Sequence, residues 1–381
     1  MRNLKILPFA ISILCLSIHS AYAEISKTFK TKLATVKVTQ MISDLPSPWG
    51  MEMLPDGKLL ITLRDGEMII ADPENPNTKQ TVSGVPKVWA RGQGGLLDVA
   101  IDPDFTTNQT IYFTFSDASS GRGTGTSLAS ATLDLSSKPT LRNVKTLFAM
   151  KKTTNSSFHF GSRIVLDREG HIYFTIGDRG DDVRAQDPKD AAGSVIRINK
   201  DGSVPQTNPF ADGKDALPQI WSIGHRNAQG AALHPETGEF WSLSHGAQGG
   251  DEINKPEAGK NYGWPTISYG REYSGAKIGV GTQAEGMEQP LYYWDPSIAP
   301  SGLDFYTGDA IPEWKGNLFA GALKFRLLSR LEMDGDKIIG EEQLFEDEFG
   351  RIREVRAFAD GALWFMTDAD DGAIYRITSA K

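Results

Sequence analysis

Apolar positions along this chain come in short alternating runs, joined in pairs across turns built from Pro, Asp and Gly, and the paired unit recurs. It reads first as GMEMLPDGKLLIT (50–62), then as LLDVAIDPDF with TIYFTF (96–105 and 110–115) and as RIVLDREGHIYFTIGD (163–178). It returns as GAALHPETGEFWSLSHG (230–246), as GLDFYTG with GNLFAGAL (302–308 and 316–323), and as REVRAFADGALWFMTD (353–368). A period of two broken by a tight turn predicts a β-hairpin. Six hairpins spaced by about 45 to 75 residues leave room for two further strands in each unit. The pattern therefore predicts an all-β fold, a six-bladed β-propeller with four-stranded antiparallel blades. No helical periodicity of useful length competes. A cut into two domains would break the repeat, so 24–381 reads as a single propeller domain, with a pair of irregular β-sandwiches as the alternative.

Composition narrows the function more than the fold. Of 381 residues, 39% are hydrophobic and 23% charged, and the 39 glycines and 20 prolines suit a turn-rich globular protein. A net charge of −8 gives no support to nucleic-acid binding, so an anionic ligand must find a local cationic cluster. The first residues, Met1 to Lys5, carry basic charge; an apolar run from Ile6 to about Ile18 follows, and Ala21-Tyr22-Ala23 closes it. This is the pattern of a secretory signal peptide over 1–23, with cleavage after Ala23 and no membrane span left in the mature chain. The single cysteine, Cys15, lies inside that segment, and export without disulfides suits a bacterial periplasm. Ile13-Leu14 before Cys15 lacks the small residue that a lipoprotein signal needs.

Three groups of side chains carry candidate chemistry. His159 precedes the third hairpin and Asp178 ends it, so antiparallel pairing brings them to one edge, where the carboxylate can orient the imidazole as a general base. Arg226, Lys324, Arg351 and Arg353 fall at blade ends. Converging on one channel, they would hold a polyanion such as a polycarboxylate or a phosphate. The third group lies in the run 220–265, where Arg226, Asn227, His234, His245, Asp251 and Glu252 sit among glycines. Carboxylates beside glycine carbonyls suit Ca²⁺, although the spacing is not that of an EF-hand. Zinc clusters, nucleotide-binding glycine motifs and the GxSxG elbow are absent from the sequence.

The phrases GQGGLLDVAIDPDF, HFGSRIVLDREGHIYFTIGD, GHRNAQG, HGAQGGDEIN, GKNYGWP and GRIREVR occur in this order across nearly the whole mature chain. Together they resemble the soluble, pyrroloquinoline quinone (PQQ)-dependent aldose sugar dehydrogenases, a family of six-bladed propellers. The resemblance implies an oxidoreductase that takes hydride from C1 of an aldose to PQQ and yields a lactone. It implies His159 as the base, Asp178 behind it, and Arg226 and Asn227 facing the quinone oxygens. It implies Lys324, Arg351 and Arg353 on the cofactor's carboxylates, with Gln93, Tyr273 and Ala322 completing the pocket. Calcium has two implied places: the carbonyls of Gly246 and Ala247 for an ion that polarises PQQ, and Glu252 with the carbonyl of Tyr262 for a structural ion.

The chain also departs from the family pattern. Phe158 stands where Asn usually precedes the histidine, Ala247-Gln248 replace Pro-Arg, and Ala228 replaces the proline of RNPQG. These departures bear on substrate range and calcium affinity. The implied partners are a small aldose and an electron acceptor that the sequence does not name, as it does not name an oligomeric state. Two other classes compete: a Ca²⁺-dependent propeller lactonase, and a non-catalytic propeller that binds carbohydrate or a protein partner.

Overall fold

The computed structural model describes residues 25–119, 121 and 123–380, so the expected signal peptide lies outside the described residues. Six antiparallel sheets make up the described chain, with only one turn of α-helix and two short 3-10 turns among them. Blades 1 to 5 span 48–81, 96–149, 164–223, 228–294 and 300–344, each with four strands laid down in chain order. The six-bladed propeller read from the hairpin repeat is therefore borne out. Each repeated hairpin supplies the first two strands of its blade.

Blade 6 is built from both ends of the chain. Its strands Ile352–Ala357, Leu363–Thr367 and Gly372–Ser379 are completed by Thr35–Leu45, with Val36 opposite Ser379 and Val38 opposite Ile377. Ser26–Lys30 adds a fifth strand on the outside. The first strand of every blade packs against those of both neighbours, and that of blade 6 meets that of blade 1, so the ring closes.

Burial explains the sequence pattern. Middle strands such as Leu59–Leu63 and Leu363–Thr367 are buried throughout because a neighbouring blade covers each face. Outer strands such as Asn75–Thr81 are mostly exposed and polar. Among the described residues, six apolar clusters fill the spaces between adjacent blades, and two smaller ones lie around Trp264 and Trp49. Val99, Phe113 and Leu133 of blade 2 pack on Leu60 and Ile70 of blade 1, and Trp241 and Leu243 of blade 4 pack on Leu303, Phe305 and Leu318 of blade 5. Burying each such side chain contributes about 1.5–3 kcal/mol.

The axis is polar. Buried Arg163 of blade 3 donates to Asp98 of blade 2 at 2.9 Å, to Glu354 of blade 6, and to the Gln229 carbonyl of blade 4 at 2.7 Å. Its guanidinium also lies 4.3 Å from the Trp49 ring centroid, so one side chain ties five blades at the centre. Among the described residues no helix is long and apolar enough to cross a membrane.

Candidate active site

First strands begin, and second strands end, at the same mouth of the ring. A cavity of about 210 Å³ opens there. Trp49, Asn227, Gln229, Ala299, Arg351 and Arg353 reach it from the starts of first strands. Arg64, His245, Leu323 and Asp368 reach it from the ends of second strands, and Gln93 from a loop. Convergence of these ends is what lets residues far apart in sequence share one site.

His159 and Asp178 meet at its edge. The imidazole Nδ1 lies 2.6 Å from Asp178 Oδ1, which also accepts the Gly180 N–H at 2.7 Å, while Trp264 Nε1 donates to Oδ2 at 2.8 Å. With Nδ1–H given to the carboxylate, Nε2 is left as the proton acceptor. Burial alone would raise the Asp178 carboxyl, but the His159 contact, the Gly180 N–H and Arg226 hold it below the usual carboxylate range. The approach is close: a Cβ on Gly177 would stand 2.4 Å from the His159 carbonyl oxygen. His159 itself adopts a left-handed φ of 54°, with its N–H held by Gln93 Oε1 at 2.8 Å.

The cavity wall is cationic. Arg353 is buried, donates to Gln229 Oε1 at 2.9 Å and lies 3.1 Å from Asp368, which Arg351 also reaches at 2.7 Å. Burial lowers the pKa of Arg353 although Asp368 opposes this. Its Nε is buried without a protein partner among the described residues. A tricarboxylate such as PQQ fits a wall that presents Arg64, Arg351 and Arg353 against one carboxylate. Lys324 is exposed just beyond Leu323.

The remaining expected cofactor residues lie elsewhere. Ala322 packs in the core between blades 4 and 5, and its neighbour Leu323 is the one that reaches the cavity. Tyr273 sits 70% exposed on the segment 255–291 that joins the last two strands of blade 4. Arg226 lines the small adjoining cavity that shares His245 with this one: its Nη1 donates to the Gly246 carbonyl at 2.5 Å, and its guanidinium lies 5.2 Å from the Trp264 ring centroid. His245 donates Nε2–H to the Pro300 carbonyl, and burial, with Arg226 nearby, holds its pKa near 3. It is neutral and orienting. His234 accepts backbone N–H groups in a hairpin turn.

The two implied calcium places differ. Gly246, Glu252 and Tyr262 line one small cavity, together with Arg226, Ser244 and Ser268. Burial pushes the Glu252 carboxyl up to about 7, with the Asn254 amide at 3.2 Å as its hydrogen-bond donor. A half-buried carboxylate so weakly satisfied fits an oxygen-coordinated cation. The Gly246 carbonyl accepts a hydrogen bond from the Arg226 guanidinium, and the Ala247 side chain packs on Ala185, Trp264 and Ile278. Asp251 is spent on the Gly246, Ile298 and Ala299 N–H groups and the Ser297 hydroxyl. A separate trio, Asp167, Glu169 and His171, lies at the opposite edge of blade 3, where Arg197 donates to His171 at 2.9 Å.

Sequence reading missed Trp49, Arg64, Gln229 and Asp368. A signal for two of them was present: Arg64 and Asp368 directly follow second strands, as His245 does, and so occupy equivalent repeat positions.

Fold and site together define a six-bladed propeller enzyme with a His–Asp pair at the edge of a cationic axial cavity. The chain belongs to the glucose/sorbosone dehydrogenase family, whose model matches residues 45–376. The resemblance carried by the six sequence phrases is thereby borne out. It is 38% identical over 350 residues to the aldose sugar dehydrogenase YliI of Escherichia coli K12, covering 91% of this chain and 93% of that protein. It is 27% identical to quinoprotein glucose dehydrogenase B of Acinetobacter calcoaceticus, covering 93% and 92%. The apo crystal structure of the soluble Escherichia coli aldose sugar dehydrogenase superposes with a TM-score of 0.86 at 37% identity, covering 90% of this chain and 99% of that one. The PQQ-bound aldose sugar dehydrogenase of Streptomyces coelicolor gives 0.75 at 26% identity, covering 93% and 100%.

Proposed function

We propose that this chain is a PQQ-dependent aldose sugar dehydrogenase that oxidises the C1 hydroxyl of aldoses to lactones. The observation that carries this reading is the His159–Asp178 pair at 2.6 Å, at the edge of a cavity walled by Arg64, Arg351 and Arg353. Bound PQQ supplies the two-electron acceptor for the C1 hydride. His159 Nε2 takes the hydroxyl proton, and Asp178 holds the ring and stabilises the imidazolium. Arg351 and Arg353 hold the cofactor's carboxylates, and Lys324 adds charge at the rim. Gln93 and Asn227 shape the pocket. Arg226 acts by fixing the 245–250 loop. Glu252, with the Tyr262 carbonyl, holds a structural Ca²⁺.

Export through the segment 1–23 places the mature chain, 24–381, in a periplasm. N-terminal sequencing of the secreted protein is expected to begin at Glu24. The activity test is reconstitution: purified protein given PQQ and Ca²⁺ reduces an artificial electron acceptor with members of a mono- and disaccharide panel. A PQQ-loaded protein inert towards the whole panel would sink the reading. His159→Ala is expected to bind PQQ and lose at least 10²–10⁴ in turnover, the contribution of a general base.

A further inference from the structure

Phe158 is an exposed aromatic side chain directly before the proposed base. It is 54% exposed, whereas Phe160, two residues on, is buried. An exposed ring beside a polar site offers a face on which a ligand can pack. Its backbone is held on both sides. The ring centroid lies 6.4 Å from that of the His159 imidazole, with the planes at 62°. Its N–H donates to Ser156 Oγ at 3.2 Å, and its carbonyl accepts from Arg179.

Arg179 is an unusual anchor for an exposed loop. It is fully buried, with its guanidinium 3.5 Å from the Phe160 ring centroid. Besides Phe158 it holds the Ser156 carbonyl at 2.8 Å and the Thr124 hydroxyl at 3.0 Å. From the other side, the Gln93 N–H donates to the Ser157 carbonyl at 2.9 Å and Gln93 Oε1 takes the His159 N–H. The segment 156–159 is thus clamped on both flanks while one large side chain stays free. Clamping the backbone fixes the point beside the base from which the free ring projects.

We propose that Phe158 is the platform on which a pyranose substrate rests its apolar C–H face, and that it sets which aldoses this chain prefers. The inference rests on the activity proposed above. A pyranose whose C1 hydroxyl meets Nε2 of His159 has the rest of its ring within reach of a side chain fixed this close to the imidazole. Pyranoses present axial C–H groups on the faces from which equatorial hydroxyls splay, and such a face packs on an aromatic ring with polarised hydrogens towards its negative face. Aldopyranoses with an uninterrupted axial C–H face are therefore the favoured class, and axial hydroxyls on that face are penalised.

The test uses PQQ-loaded protein and two readouts. One is KM across aldoses; the other is calorimetric binding of 1,5-anhydroglucitol, which keeps the pyranose face but lacks the C1 hydroxyl and so cannot be oxidised. Phe158→Asn is expected to weaken analogue binding and raise KM about three- to ten-fold, with a much smaller change in kcat, as for a lost aromatic stack. Phe158→Tyr, which keeps the ring, is expected to restore both. Because the side chain is exposed, neither variant should shift the unfolding midpoint. Unchanged analogue affinity and KM in Phe158→Asn would overturn the platform, as would a loss confined to kcat. Wild-type protein that binds the analogue through Phe158 but oxidises no aldose would support the platform and overturn the activity instead.

Discussion

His159 Nδ1 stands 2.6 Å from Asp178 Oδ1, and the second oxygen of the same carboxylate takes the Trp264 indole N–H at 2.8 Å. Both carboxylate oxygens are therefore committed to fixing one imidazole in one tautomer. Replacing Asp178 with Asn keeps the shape but puts an amide, which can donate, opposite Nδ1. The expected result is a fall in kcat of about 10²–10⁴ with PQQ affinity nearly unchanged. Steady-state kinetics and a PQQ absorbance titration on the same preparation check it; equal loss of binding and turnover would count against the assignment.

Arg353 is the proposed cofactor contact whose loss should be cleanest. Arg351 remains on Asp368 when Arg353 is replaced, so that buried carboxylate keeps a partner. Arg353→Leu is expected to weaken PQQ binding about ten- to hundred-fold, in line with one or two hydrogen bonds to a charged group. A PQQ titration followed by fluorescence measures it. Unchanged affinity with a lowered unfolding midpoint would make Arg353 purely structural.

Calcium should act on stability through Glu252. Saturating Ca²⁺ at about a hundred times its Kd adds about 2.7 kcal/mol to the folded state, seen as a higher Tm. Chelation is expected to reverse the shift. Glu252→Gln should remove the calcium response altogether while leaving the chelated protein at least as stable as wild type, since the substitution relieves a weakly satisfied, half-buried carboxylate.

Glu52 gives a pH signature. It faces the axis among Arg356, Asp98, Asp304 and Glu354, and burial first, then the neighbouring acids, push its carboxyl up from 4.5 to about 7. A raised carboxyl pKa means that the folded state binds the proton more tightly, so this cost is absent below pH 4.5 and complete above about pH 7. Wild-type stability should therefore fall, relative to Glu52→Gln, as pH rises through that window, by about 1–3 kcal/mol. Partial solvent access at Glu52 keeps the figure below the full shift. Denaturant melts at pH 4.5, 6 and 8 decide it; parallel curves would show that Glu52 is not the titrating group.

How far the sequence reveals this depends on where each strand lies. First and second strands of every blade are covered on both faces, and their apolar alternation and Asp/Gly turns stand out, as in RIVLDREGHIYFTIGD. Outer strands such as Asn75–Thr81 and Thr140–Ala149 face water and carry no such signature. The partner of Thr35–Leu45 is invisible locally, because it lies more than 300 residues away. In the site, His159 and Asp178 were legible because one hairpin brings them together. Trp49 and Gln229 were not, because only ring closure puts them on a common cavity. Arg226 shows a further limit: sequence places it at the mouth, but the Gly246 carbonyl and the Trp264 face decide where its charge points.

The shared sixth blade also sets an order of events. Three of its strands are made last and the fourth among the first, so the inner edge of Thr35–Leu45, opposite the one that Ser26–Lys30 covers, must wait until almost the entire chain has emerged. Docking it closes the longest loop in the molecule, a non-local step that is slow and late. A chain halted before Gly372 would hold assembled blades with an open seam, exposing apolar strand edges to other chains. The same seam, once shut, leaves Ser26–Leu45 and Gly372–Ser379 tied into one sheet, so fraying from either of these segments must first break a blade.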